Sequence, residues 1–192
     1  MHRIVWITGR AAAGKSTVIA ACVTRLRAYG HEPAVPSDEE LLFRLKEADV
    51  EHCHHYHPHG DHRFLFRDGY LFDEGLRRIN ARLLEVSATG SRDIVLVELA
   101  RGATTAVADV SYRRALELIA PLVWAQSLVF YLDVADSVQV QRNRARSITS
   151  RATPEPVMRD LYAHDPESLA AAGIIVHAIT ATARSRRLRS SS

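Results

Sequence analysis

Lysine is nearly missing from this 192-residue chain: of its 25 basic side chains only Lys15 and Lys46 are lysine, and the other 23 are arginine. Cysteine is as scarce. Cys22 and Cys53 are too few for the disulfide framework that staples small secreted domains. Only Met1, His2 and Arg3 precede the first apolar run, so no leader peptide is expected and a cytoplasmic setting is the default. No apolar stretch reaches the roughly 20 residues of a membrane-crossing helix. Repeats are absent, and a net charge of +3 is modest for a nucleic-acid binder. What remains is ordinary for a soluble globular protein, with 47% hydrophobic and 24% charged residues. The length suits one well-buried core. One domain over residues 1–183 is expected, followed by a loose, basic and Ser-rich tail over 184–192.

One of the two lysines falls inside GRAAAGKST, residues 9–17, directly after the apolar run Ile4-Val5-Trp6-Ile7. The pattern G-x-x-x-x-G-K-[ST] would arise from this composition by accident on the order of once in two thousand such chains. A strand before it and a helix after it are the context in which the pattern binds phosphate. Backbone N–H groups at a helix N-terminus, helped by the helix dipole, form a receptor for anionic oxygens. Gly9 and Gly14 remove side chains where the backbone wraps closely. Lys15 reaches the β- and γ-phosphates in such loops, and the Ser16 hydroxyl ligates Mg²⁺. Arg10, Ala11, Ala12 and Ala13 are expected to act only through their backbone. Thr17 either touches the α-phosphate or is an ordinary first-turn residue.

Along the chain, strands alternate with helices, the pattern of an α/β domain with a mainly parallel sheet. Five strands are expected: Ile4 to Thr8, a short one at Ala34-Val35 between Pro33 and Pro36, Ile94 to Leu99, Leu128 to Leu132, and Ile174 to Ile179. Helices are expected from Lys15 to about Tyr29, from Ser37 or Asp38 to Ala48, and from Glu74 to Val86. Another runs from Asp109 or Ser111 until Pro121 disturbs it, one starts at Asp136 or Ser137, and one spans Pro154 to His164. Between Asp49 and Asp68 the periodicity fails, and EHCHHYHPHGDHRF reads as an irregular insert, of the kind that carries function in compact α/β domains.

With these elements in place, GRAAAGKST together with the later strands in DIVLVELARG and SLVFYLDV resembles the P-loop kinases of the nucleoside and nucleotide kinase-like family. The resemblance implies a three-layer α/β/α fold with a five-stranded, mainly parallel sheet, a helical lid and an acceptor-binding insert. It implies ATP and Mg²⁺ as cofactors, with residues 9 and 12–17 around the phosphates. It further implies an acidic residue acting on Mg²⁺ at Glu98, a carboxylate holding the acceptor at Asp38, and lid arginines at Arg142 and Arg146 facing the transferring phosphate. Residue chemistry leaves alternatives at each place. Glu98 could instead pair with Arg101 or Arg92, Ser37-Asp38 could merely cap a helix, and Arg142 and Arg146 could be a solvated helix end. Arg101 is either a substrate contact or a surface arginine.

The insert holds His52, His54, His55, His57, His59 and His62, with Cys53, Asp61 and Glu51 among them. Its spacing fits no closed zinc site, and substrate contact through His55, His57, Arg63 or Arg67 is the favoured role. Together these features predict an ATP-dependent kinase acting on a hydroxyl or phosphate of a nucleoside, nucleotide or similar polar metabolite, without a membrane partner. Two rivals remain: a polynucleotide 5′-hydroxyl kinase, suggested by the Arg-rich lid and tail, and a regulatory NTPase in which Glu98 positions water.

Overall fold

A computed structural model of the chain describes residues 3–49, 54–58, 64–89, 94–102, 108–145 and 176–181. Its core is a parallel sheet in the order β4-β1-β5-β6, formed by Val95–Leu99, Ile4–Thr8, Ser127–Val134 and Val176–Ala181. Strict alternation of side chains sorts these strands between two faces. Ile4 and Trp6 of β1, Val95, Val97 and Leu99 of β4, and Val129 and Tyr131 of β5 point to one side. There they meet Leu76, Ile79 and Leu83 of α3 (Tyr70–Ala88), Tyr112 and Ala115 of α4 (Tyr112–Leu118), and Val123 of α5 (Pro121–Ala125). Ile7, Leu96, Leu132 and Val134 point the other way, onto Ile19 and its neighbours on α1 (Lys15–Ala28) and Val138 of α6 (Asp136–Ala145). Helices thus cover both faces, and a strand such as β4 is buried at every position, as all-parallel sheets require.

The sheet has four strands rather than the five expected. Residues 34–37 run along the free side of β4 but pair only through two isolated bridges, Ala34 with Val95 and Ser37 with Glu98. Pro33 and Pro36 are the physical reason: each lacks an N–H, so the segment cannot sustain a ladder. It still accepts where it has carbonyls, the Leu96 and Glu98 amides donating to Ala34 O and Pro36 O. The insert is also more regular than its sequence suggests, since Tyr56–Pro58 (β2) and Phe64–Phe66 (β3) form a small antiparallel pair. Tyr56 and Phe66 pack with Leu42 and Leu45 of α2 (Asp38–Ala48) and with Leu71, Phe72, Ala108 and Val110, making a third cluster outside the sheet faces.

Helix ends follow their local chemistry. α1 closes where Gly30, at φ +81°, lets the His31 and Gly30 amides turn back onto Leu26 O and Arg27 O. Ser37 caps α2 by accepting from the Glu40 amide. α3 begins four residues ahead of the expected Glu74, because Asp68 accepts from the Tyr70 amide and starts the turn. Pro121 does not simply end a helix. It opens α5 at the first helical position, where its missing N–H is harmless, and the Asn80 side chain takes the Ala120 amide at the break. The expected helix over 154–164, the remainder of the lid and the tail lie outside the described residues.

Leu83 is fully buried where α3 meets the sheet. Leu83→Ala is expected to lower the unfolding free energy by about 2–5 kcal/mol, read as a shifted urea midpoint at unchanged slope.

Candidate functional site

The carboxyl ends of β1 and β4 open onto one edge, and the register fixes what stands there. Ile7 lies opposite Glu98 and Thr8 opposite Leu99, so the chain leaving β1 as the GRAAAGKST loop rises beside Glu98. The loop's backbone is bent by three positive φ angles, at Gly9 (+140°), Ala12 (+60°) and Gly14 (+99°). Two are glycines and fit the expectation. Ala12 is the one non-glycine residue held in the left-handed region among the described residues, a conformation that costs about 1 kcal/mol and marks a tightly constrained loop. Gly9 has a second reason to be glycine: a Cβ there would stand 3.0 Å from the Leu132 carbonyl oxygen.

α1 then starts at Lys15 without a side-chain cap and with no acid in its first turn. A helix end left in this way favours an anionic guest. Lys15 is only 6% exposed and its ammonium donates to Arg10 O at 3.0 Å, drawing the loop closed. The Ser16 hydroxyl donates to Glu98 Oε1 at 3.0 Å. An alcohol oxygen beside a carboxylate is a hard, all-oxygen donor pair of the type Mg²⁺ takes, with water completing its shell. These two residues therefore fit that ion.

Asp38 and Arg101 form the other half of the edge. The bridge between Ser37 and Glu98 carries Asp38 to the rim, where it is 7% exposed. Ser37 supplies the helix cap, so the Asp38 carboxylate is released from that duty. Its Oδ2 accepts from the Ala100 amide at 2.9 Å and from Arg101 Nη1 at 3.1 Å, while Oδ1 is buried without a hydrogen-bond partner. Arg101, 3% exposed, is no surface arginine. It also donates to Ala100 O and to Phe72 O, and its guanidinium lies over the Phe72 ring. Of the two structural ion pairs open to Glu98, that with Arg101 is absent because Arg101 faces Asp38; Arg92 lies outside the described residues.

Burial pushes both carboxylates above their ordinary values. For Asp38 the withdrawal from water outweighs Arg101, Lys15 and the Ala100 amide, which pull the other way. For Glu98 burial again leads, opposed by Lys15 and by the Ser16 hydroxyl and reinforced by the Asp38 charge. Two carboxylates and two cations thus share a small dry volume, and each carboxylate stays easier to protonate than it is in water.

Arg142 of α6 approaches the loop from outside. Its Nη1 donates to Ala13 O at 2.9 Å and lies 3.3 Å from where a Gly14 Cβ would stand. Arg146 and Arg63 lie outside the described residues. Within the insert, His55 Nδ1 is 2.9 Å from Asp68 Oδ2, its ring stacks on Tyr70 at 4.2 Å, and its amide donates to Asp49. Arg67 is exposed and its Nε donates to Tyr56 O. His57 stands opposite Leu65 in the hairpin. These contacts stay within the insert and its flanking helices, apart from the Asp38 edge. No group of three His, Cys, Asp or Glu among the described residues is arranged to hold a metal ion.

Two residues at the loop escape a reading by motif. Arg10, expected to matter only through its backbone, buries its side chain and donates to Val134 O and Asp136 Oδ1, fastening the loop to the end of β5. Tyr112 accepts from the Gly9 amide at 2.9 Å. The signal for Arg10 is its place beside a glycine turn. Tyr112, on the apolar side of a helix, resembles any core aromatic.

No family model matches the chain, and no curated protein matches it. Solved structures do. A sugar kinase from a Janibacter species superposes with a TM-score of 0.51 at 17% identity, over 94% of this chain and 86% of that one. An APS kinase from Mycobacterium tuberculosis, solved with AMPPNP and APS, gives 0.55 at 16% identity, over 93% and 88%. At such identities the likeness is one of fold, and the fold is similar to that of P-loop kinases.

Because folding raises the Glu98 pKa, this group favours the folded state below the ordinary carboxylate range, and the contribution is lost as pH rises through the raised value. Glu98→Gln is therefore expected to melt above the unchanged protein at neutral pH. The gap should close as pH falls through the carboxylate range, in thermal scans at fixed ionic strength.

Proposed function

We propose that this protein is a cytoplasmic, ATP- and Mg²⁺-dependent phosphotransferase that places the γ-phosphoryl group on a hydroxyl of a small polar molecule of the nucleoside or sugar kind. One observation carries the reading: a wrapped phosphate loop with a buried lysine shares a sheet edge with a buried carboxylate, Asp38, that has one oxygen unpartnered. A phosphate loop alone fits any NTPase. An acceptor-only oxygen in a dry site calls for a hydrogen-bond donor, and the hydroxyl of an acceptor is one. An anionic phosphate acceptor would instead meet Asp38 and Glu98, with the Arg101 guanidinium already engaged by Asp38, Ala100 and Phe72.

The roles follow from placement. Loop amides and Lys15 hold the β- and γ-phosphates, and the Arg142 guanidinium stands where negative charge develops at the loop mouth. Mg²⁺, held by Ser16 with Glu98 behind it, would neutralise phosphate charge. Asp38 orients the acceptor hydroxyl and takes its proton, and its raised pKa suits that task better than an ordinary carboxylate. Arg101 keeps Asp38 turned to the site. Fold neighbours that are kinases, one of them solved with a nucleotide analogue, support the reading.

The protein incubated with ATP and Mg²⁺ against a panel of hydroxyl compounds and nucleoside monophosphates is expected to phosphorylate a hydroxyl compound. Lys15→Ala should abolish ATP binding. Asp38→Asn should lower kcat by about 10²–10⁴ while ATP affinity stays within about twofold. Hydrolysis of ATP that no acceptor stimulates would favour the regulatory NTPase, and end-phosphorylation of oligonucleotides the polynucleotide kinase.

A further inference from the structure

We infer that Tyr112 is a positioning residue of the phosphate loop, acting through the Gly9 amide and tying the loop to the strand end that carries Arg101. The inference rests on the phosphate-loop reading above and adds to it a residue outside the motif.

Tyr112 opens α4 and is wholly buried among the core side chains of the sheet, its ring edge-on to Tyr131 at 6.0 Å. Packing alone would be met by phenylalanine. The hydroxyl, however, ends a chain of hydrogen bonds that runs into the loop. The Gly9 amide donates to it at 2.9 Å, and the Thr8 side chain is its second partner. Thr8 Oγ1 has its own proton on Phe130 O at 3.1 Å, so the phenol proton goes to Thr8. Burial drives the Tyr112 pKa far upward, and the phenol remains a donor throughout the working range of pH.

The amide so held belongs to the residue at which the chain turns out of β1. Gly9 has φ +140° and stands against the Leu132 carbonyl, so its peptide has little room except where Tyr112 fixes it. That peptide sets the direction of the residues that follow, and a small rotation there is carried to the amides around Gly14. The same tyrosine sits beside the acceptor edge. Ser111, its neighbour in the chain, bridges to Gly102, whose amide donates to Val110 O; Gly102 directly follows Arg101. One short segment therefore touches the donor loop and the strand end that orients Asp38.

The test compares Tyr112→Phe with Ile119→Val, a truncation in the same core away from the loop. Binding is measured by calorimetry with ATP, ADP and inorganic tripolyphosphate, each with Mg²⁺, alongside thermal scans. Tyr112→Phe is expected to weaken all three by about tenfold, the scale of one buried donor left without a partner. The factor should be the same for tripolyphosphate as for ATP, because the loop and not the base is disturbed. Ile119→Val should lose a few degrees of thermal midpoint, roughly what one buried methylene costs, and bind normally. If Tyr112→Phe folds poorly, Thr8→Val interrupts the same chain and should weaken tripolyphosphate by about threefold. Unchanged affinity in these loop variants overturns the inference. Failure of the unaltered protein to bind tripolyphosphate or ATP overturns the phosphate-loop reading itself, a distinct result.

Discussion

The parallel register of β1 against β4 is the constraint on which the candidate site rests. Because both strands end at the same edge, Ile7 beside Glu98 sets the start of the phosphate loop against the one carboxylate of β4. The segment on the other side of β4 then brings Asp38 alongside through the bridge at Ser37. Antiparallel pairing would send these chain ends to opposite edges. Here four charged groups from separate stretches, Lys15, Asp38, Glu98 and Arg101, are gathered with all four nearly dry. Assembling such a cluster works against stability, since burial raises both carboxylate pKa values and leaves one Asp38 oxygen unpartnered. Strain at Ala12 adds to it. The two sheet cores supply the surplus that tolerates these costs, and the site stands at the edge of those cores for that reason.

What the sequence made legible is what short-range rules govern. The loop from Gly9 to Thr17 and the helix after it are encoded in adjacent residues, as is the Ser37 cap. The apolar run ending in Glu98 announced a buried strand with a carboxylate at its tip. Illegible were features set by distant partners. Nothing around Arg101 says that it is buried, because the reason lies at Asp38, Ala100 and Phe72. Tyr112 is likewise explained only by Gly9, more than a hundred residues away in the chain. The prolines misled in both directions. Pro33 and Pro36 reduced an expected strand to two bridges, and Pro121 began a helix rather than ending one. The three-residue strands of the insert are too short to show alternation, and histidine-rich sequence hides them further.

Arg10 and Arg142 show how the arginine richness of the chain is used near the loop. Both donate to main-chain carbonyls, Arg10 to Val134 and Arg142 to Ala13, and so brace the loop from beneath and from the rim. A planar guanidinium can bond a carbonyl and still present further N–H groups elsewhere, which a lysine ammonium does less well. Arg10 uses that capacity on Asp136.

The small cluster of Tyr56, Phe66, Leu42, Leu45, Leu71, Phe72, Ala108 and Val110 stands apart from the two sheet cores, with Ala11 and Ala100 packed at its border. Its separation gives the molecule a modular history to draw on. Side chains of the hairpin can change in size and polarity without disturbing the register that gathers the charges, so new acceptors can be accommodated while the donor edge stays as it is. Ala11 and Ala100 mark the boundary between the part free to diverge and the part held fast.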